Sequence, residues 1–272
     1  MKRLSLPLMT AVGLMGMTAL TACGSGSTDS ATSASAAMTP SASSTPSPSS
    51  TLSGTVTVLA AASLTESFTA LEKSFEAANP GVDVTISFGS SATLAQQIAQ
   101  GAPADLYASA GTKALDQLPA EAKAKPTTTL AKNVLEIATP PGNPKKVTGL
   151  ASLADASTNV VLCAETVPCG SAADAVLTKA AVTAHVVSRE VDVKATLAKI
   201  TLGEADAAIV YHSDVVAAGS KVEGVEIPSA QNTTLAYPLV RLTDTAATKA
   251  FADLLASAAG LKELEAVGFL AP

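Results

Sequence analysis

The chain has 272 residues, a formal net charge of −6, no tryptophan, 3% aromatic residues and two histidines. A nucleic-acid binder would show a basic face with aromatic residues set into it, so that class is excluded. His185 and His212 are separated and no His-Glu-x-x-His pattern occurs, so neither a metal cation nor another cofactor is expected.

In chain order, Lys2 and Arg3 precede an uncharged, mostly apolar run from Leu4 to Ala22, the pattern of a secretory signal. The run is long enough to span a membrane. However, it ends Leu20-Thr21-Ala22-Cys23 and continues as Gly24-Ser25-Gly26-Ser27, with no basic flank. That ending resembles the bacterial lipobox, in which the cysteine is lipidated and becomes the new N-terminus. Residues 1–22 are thus expected to be a lipoprotein signal peptide and Cys23 the lipid anchor, holding the protein on the extracytoplasmic face of the cell membrane. Residues 23–54 read as the lipidated cysteine and a linker. From Gly24 to Ser53, 17 of 30 residues are Ser or Thr and only Asp29 is charged. So little apolar surface cannot offset chain ordering, and a disordered spacer is expected.

Two segments of one design follow. Val56–Ala61 reads as a buried strand, then Ser63 precedes Leu64, Phe68, Leu71 and Phe75 at helical spacing. Ser63-Leu64-Thr65-Glu66 also fits a capping box, with Ser63 as N-cap and Glu66 at N3. After the turn Asn79-Pro80-Gly81, Val82–Phe88 reads as a second strand, followed by Ser90, Ser91 and a short helix through Leu94 and Ile98 that stops at Gly101-Ala102-Pro103. Each segment sets a hydroxyl where a strand ends and a helix begins. The first N–H groups of a helix lack partners and carry partial positive charge, so two such ends aimed at one crevice suggest a receptor for a small oxyanion. Ala104–Ala108 is a third strand, and the alternation predicts an α/β fold with parallel strands and ligand binding beyond their carboxyl ends.

Further on, the pattern predicts strands at Asn133–Ala138 and Asn159–Cys163, with Ser152 capping a short helix between them. Ser171 and Asp174 form a second possible capping box for a helix to about Ala181. Asp192 can cap a helix that carries Val193, Leu197 and Ile200 on one face. Asp206–Tyr211, Val225–Ile227 and Leu235–Leu242 read as strands, Ser213–Ala218 as a short helix, Thr245 to about Ala258 as a long one and Leu261–Val267 as a last helical piece. Cys163 and Cys169 would both lie outside the cytoplasm with Cys23 taken by lipid, so a Cys163–Cys169 disulfide is expected.

Four motifs, Leu59-Ala60-Ala61-Ala62-Ser63-Leu64, Phe88-Gly89-Ser90-Ser91-Ala92-Thr93-Leu94-Ala95-Gln96-Gln97-Ile98, Gly101-Ala102-Pro103-Ala104-Asp105-Leu106 and Gly203-Glu204-Ala205-Asp206-Ala207-Ala208-Ile209-Val210-Tyr211, stand in this order. Together they resemble the molybdate-binding subunit of molybdate ABC importers, and the resemblance extends from about Thr55 to Phe269. It implies a type II periplasmic-binding-protein fold, with two α/β lobes closing on a ligand between them. Lobe I would comprise residues 55–132 plus 235–272 and lobe II residues 133–234, with chain crossings near Asn133 and Leu235. It further implies a monomer that captures molybdate or tungstate and delivers it to a membrane permease. Molybdenum would be present only as the oxyanion. The donors implied are the hydroxyls and amides of Ser63 and Ser91, backbone amides near Cys169 and Val193, and the Tyr211 hydroxyl.

The residues themselves also admit plainer roles. Ser63 and Ser91 could serve only as caps, Ser90 competes with Ser91, and Tyr211 could be a core tyrosine. Lys194 adjoins Val193, but adjacent side chains on a helix point apart. A set of neutral donors with no carboxylate and no group titrating near neutrality would bind a fully ionised dianion almost evenly from about pH 6 to 8.5. Sulfate or another small oxyanion is the alternative ligand. An enzyme is disfavoured, since no Gly-x-Ser-x-Gly or Ser-x-x-Lys occurs and a triad would need a Ser63–His212 pair.

Overall fold

The computed structural model describes residues 52–272; the signal segment, Cys23 and nearly all of the linker lie outside them. The linker expectation is corrected at its end. The first strand begins at Gly54, and Leu52 packs on the core.

The elements alternate as the sequence pattern requires. Strand β1 (Gly54–Ala61) leads through a 3-10 turn (Ala62–Leu64) into α1 (Thr65–Ala78). β2 (Val82–Gly89) leads into α2 (Ser91–Ala99), and β3 (Leu106–Ala108) into a 3-10 turn (Lys113–Gln117) and α3 (Ala120–Lys123). The chain then enters the long β4 (Thr127–Thr139), a 3-10 turn (Leu150–Ala154), β5 (Val160–Cys163) and α4 (Pro168–Lys179). β6 (Val186–Glu190), α5 (Val193–Thr201), β7 (Ala207–Tyr211) and α6 (His212–Ala218) follow. After a 3-10 turn (Gly219–Lys221) come β8 (Glu223–Glu226), β9 (Thr234–Arg241), α7 (Ala246–Leu255) and α8 (Ala258–Ala266).

The strands run β2-β1-β3-β9-β4-β7-β5-β6, with β8 beside β4. The wings are parallel as predicted: β1 with β2 and β3, and β5 with β6 and β7. The centre is not. β9 is antiparallel to both β3 and β4, and β4 is antiparallel to β7. The long β4 changes partner midway: Val134 pairs with Thr234 on β9, and the next residue, Leu135, pairs with Tyr211 on β7. Asn133 and Leu235 are direct register partners at this exchange. One strand therefore carries the backbone ladder from one α/β half into the other.

Three features depart from the sequence pattern. β4 begins at Thr127, ahead of the predicted start at Asn133, because the β-branched Thr127–Thr129 suit an extended chain paired with β9. β6 was not foreseen. Its residues alternate between half-buried and exposed at the edge of the sheet, so Val186-Val187-Ser188-Arg189-Glu190 shows no apolar run. The boundary between the two last helices falls earlier than predicted: α7 ends at Leu255, and the Ser257 hydroxyl accepts from the Gly260 N–H at 3.2 Å and starts α8 at Ala258. Among the described residues no helix is long and apolar enough to cross a membrane.

Candidate functional site

Five helical starts converge on one point between the two halves. They are the 3-10 turn after β1, α2, α4, α5 and α6. The cavity they enclose is lined by Ala61, Ala62, Ser63, Gly89, Ser90, Ser91, Ala110, Val167, Pro168, Cys169, Asp192, Val193 and Tyr211. The cavity is small, about 20 Å³, room for a compact inorganic ion and not for an organic ligand. A larger cavity of about 870 Å³ adjoins it and shares Ala110, Val167 and Pro168. The helix starts meet at the smaller one, so donor placement and not size marks the site.

All five residues expected from the sequence, Ser63, Ser91, Cys169, Val193 and Tyr211, lie on this wall. None of the lining residues is Lys or Arg, and the donors are backbone N–H groups and hydroxyls.

The wall from β1 and β2 is held by hydroxyl chemistry. Ser63 is not the N-cap of a capping box. α1 begins at Thr65, Glu66 turns away to Lys194, and the Ser63 hydroxyl bonds instead to the Tyr237 hydroxyl at 2.9 Å. Tyr237 is itself reached by the Asn133 side-chain amide at the long distance of 3.5 Å, and the same amide donates to Ser213 Oγ at 2.8 Å. Either hydroxyl can donate in the Ser63–Tyr237 bond; when Tyr237 donates, the Ser63 proton is free for a ligand. Ser91 Oγ accepts from the Ala110 N–H at 2.9 Å, which likewise leaves its own proton to donate. The buried Tyr107 hydroxyl donates to the Ser91 carbonyl at 2.7 Å and fixes the first turn of α2. Ser90 Oγ is buried and has no partner in the structure. Such an atom is costly unless a ligand or water satisfies it, so Ser90 joins Ser91 as a candidate donor.

The wall from α4, α5 and β7 is built from backbone. α4 begins with Pro168 at its first turn and Val167 as N-cap, so the expected Ser171–Asp174 capping box is corrected. Ser171 Oγ donates to the Pro168 carbonyl, and Asp174 pairs with Arg189 at 2.8 Å. Cys169 is bonded to Cys163 at the end of β5. Gly170 permits the close approach this needs: a Cβ there would stand 1.9 Å from the Ala164 carbonyl oxygen. Asp192 caps α5 as predicted, its Oδ1 accepting from the Ala195 N–H at 2.9 Å, and so presents Val193 at the helix start. Asp192 is also an acidic lining residue, a departure from the carboxylate-free site expected, although Oδ1 is engaged by the helix.

The Tyr211 hydroxyl is buried with no hydrogen bond of good geometry, and it couples electrostatically to the nearby Tyr237. Burial pushes both phenols well above the ordinary tyrosine range, so both stay neutral donors. Asp214, fully buried on α6, has a carboxyl pushed up to about 6 by burial, against the pull of Lys194. His212 pairs with Glu136 at 2.6 Å and is not on the cavity wall, so the Ser63–His212 pair of a hydrolase does not form. Asp105 and Asp206 are structural, accepting from the backbone N–H groups of Thr57 and Asn159, each at 2.8 Å. Among the described residues no group of His, Cys, Asp and Glu could hold a metal ion.

A small cavity of neutral donors between two α/β halves is the arrangement of a solute receptor. The chain belongs to the bacterial extracellular solute-binding protein family, whose model matches residues 56–270. It is 37% identical over 222 residues to the molybdate-binding protein ModA of Mycobacterium tuberculosis, covering 80% of this chain and 85% of that relative. It is 34% identical over 230 residues to ModA of Escherichia coli, covering 79% and 89%. The Azotobacter vinelandii periplasmic molybdate-binding protein superposes with a TM-score of 0.68 at 20% identity over 80% of this chain and 99% of that one, a likeness of fold. The fold is the two-lobe type II arrangement of the periplasmic binding proteins.

Proposed function

We propose that this protein is the extracytoplasmic receptor of a molybdate ABC importer, taking molybdate or tungstate into the cavity between its lobes and passing it to a membrane permease. It performs no chemistry on the ligand and needs no cofactor. The observation that carries this reading is the convergence of Ser63, Ser91, Cys169, Val193 and Tyr211 on one small cavity without a cation on its wall. Neutral N–H and O–H donors can hold a dianion, since hydrogen bonds to charged groups contribute about 1.5–3 kcal/mol each. The lobes are taken as residues 55–132 plus 235–272 and residues 133–234, which places Ser63 and Ser91 on lobe I and the other three on lobe II. The mature protein is a monomer tethered through lipid on Cys23; a Cys23→Ala form in the native host should lose metabolically incorporated acyl chains.

Sulfate has the same charge and shape as molybdate but shorter bonds to oxygen. To reach donors on both lobes it must stretch some hydrogen bonds, and these weaken steeply with distance and angle. Losing two costs on the order of 3–6 kcal/mol, a discrimination of about 10² or more. Titration calorimetry with molybdate, tungstate, sulfate and phosphate tests this. Sulfate bound as tightly as molybdate would overturn the ligand assignment.

A further inference from the structure

We propose that Lys194, Glu66 and Asp214 form an electrostatic latch that holds the two lobes closed over the bound anion, with Lys194 as the bolt, Glu66 as the catch and Asp214 as the mount. The inference rests on the oxyanion-receptor reading above and extends it from the site to its closure.

Lys194 Nζ lies 2.8 Å from both carboxylate oxygens of Glu66 and 3.0 Å from Asp214 Oδ1. Glu66 stands in the first turn of α1, which follows β1 on one half of the molecule. Lys194 stands in the first turn of α5, and Asp214 in that of α6, both on the other half. The Lys194–Asp214 contact is therefore internal to one lobe, while the Lys194–Glu66 contact crosses the cleft. Opening the cleft breaks the second and keeps the first.

Each member is tied to a candidate ligand position. Glu66 is three residues after Ser63, Lys194 follows Val193, and Asp214 is three residues after Tyr211. Asp214 also accepts from the Tyr211 N–H at 3.4 Å. A lobe movement that seats the anion against these segments thus brings the ion pair together.

The position of Lys194 is otherwise unfavourable. A cation at a helix N-terminus opposes the helix dipole. Burial also works against the charge of Lys194, yet the two carboxylates outweigh it and hold its pKa above the ordinary value. Without Glu66 the ammonium keeps Asp214 and gains water in the open cleft. With Glu66 it is a bidentate partner on the far wall.

A contact made only after closure slows release of the ligand more than it speeds capture. The test is stopped-flow measurement of molybdate association and dissociation for the wild-type chain, Glu66→Gln, Lys194→Met and the double variant, with ligand-free thermal melts as the folding control. Glu66 is partly exposed, so Glu66→Gln should melt near the wild-type temperature. It should release molybdate on the order of 3–10 times faster with nearly unchanged association. In a Lys194→Met background, Glu66→Gln should have little further effect. Wild-type release rates in Glu66→Gln, or an undiminished effect of that substitution without Lys194, would overturn the latch alone. A wild-type chain that binds none of molybdate, tungstate, sulfate and phosphate would overturn the receptor reading and the latch with it. If Lys194→Met fails to fold, Lys194→Arg replaces it: the guanidinium should retain slow release, and fast release with an intact fold would count against the latch.

Discussion

The two walls of the cavity offer hydrogen-bond donors in different ways. On the wall from β1 and β2, the donors include serine hydroxyls that are held from behind by other groups: Ser63 by the Tyr237 hydroxyl and Ser91 by the Ala110 amide. On the wall from α4 and α5 they are helix-start amides, held by the Cys163–Cys169 bond, by Gly170 and by the Asp192 cap. A hydroxyl can rotate to suit a ligand, whereas an amide at a helix start cannot. One wall therefore adapts and the other sets the spacing. Discrimination by ligand size depends on the rigid wall, while affinity should be lost most readily through the serine wall.

The largest expected effect follows from emptying the serine wall. Ser63→Ala with Ser91→Ala removes two hydrogen bonds to a charged ligand, about 3 kcal/mol or more, so molybdate affinity should fall by about 10² or more in calorimetry. Unchanged affinity would break the comparison at its base. Next is the rigid wall. Cys163→Ser with Cys169→Ser removes a short covalent loop that contributes about 2 kcal/mol of stability in the chain-entropy model. The melting temperature should fall, and sulfate should gain on molybdate as the amide spacing loosens. Loss of stability with unchanged selectivity would assign the bond to folding alone.

A third experiment uses pH. Asp214 is buried among Lys194, Glu66, the Tyr211 N–H and Tyr237, and its carboxyl is raised from the ordinary value to about 6 by burial. A carboxyl that holds its proton more tightly folded than unfolded favours the fold increasingly as pH falls from about 6 to about 4, and adds nothing above that window. The melting temperature of the wild-type chain relative to Asp214→Asn should therefore rise on acidification between those values. A flat difference would show that Asp214 is not raised. The smallest effect is expected for Tyr237→Phe, which leaves Ser63 in place and removes the hydroxyl that orients it. A net hydrogen bond of about 1 kcal/mol corresponds to roughly a five-fold loss of molybdate affinity. A loss as large as that of Ser63→Ala would instead make Tyr237 part of the ligand shell.

Much of this protein is legible from the chain alone, because the relevant interactions are local. Strand followed by helix is written in periodicities of about two and 3.6 residues, and β1, α1, β2, α2 and α5 lie close to where those patterns place them. The Asp192 cap spans three residues and the Cys163–Cys169 bond six, so neither needs the fold to be known. Tertiary structure alone decided which partner each polar group takes. Ser63 was as well suited to cap α1 as to face a ligand until Tyr237, 174 positions later, claimed its oxygen. Glu66 would have closed a capping box had Lys194, 128 positions later, not drawn it across the cleft. The antiparallel centre of the sheet and the edge strand β6 belong to the same class. A side chain's choice between a neighbour in sequence and one in space is set by register and packing, and no local pattern records these.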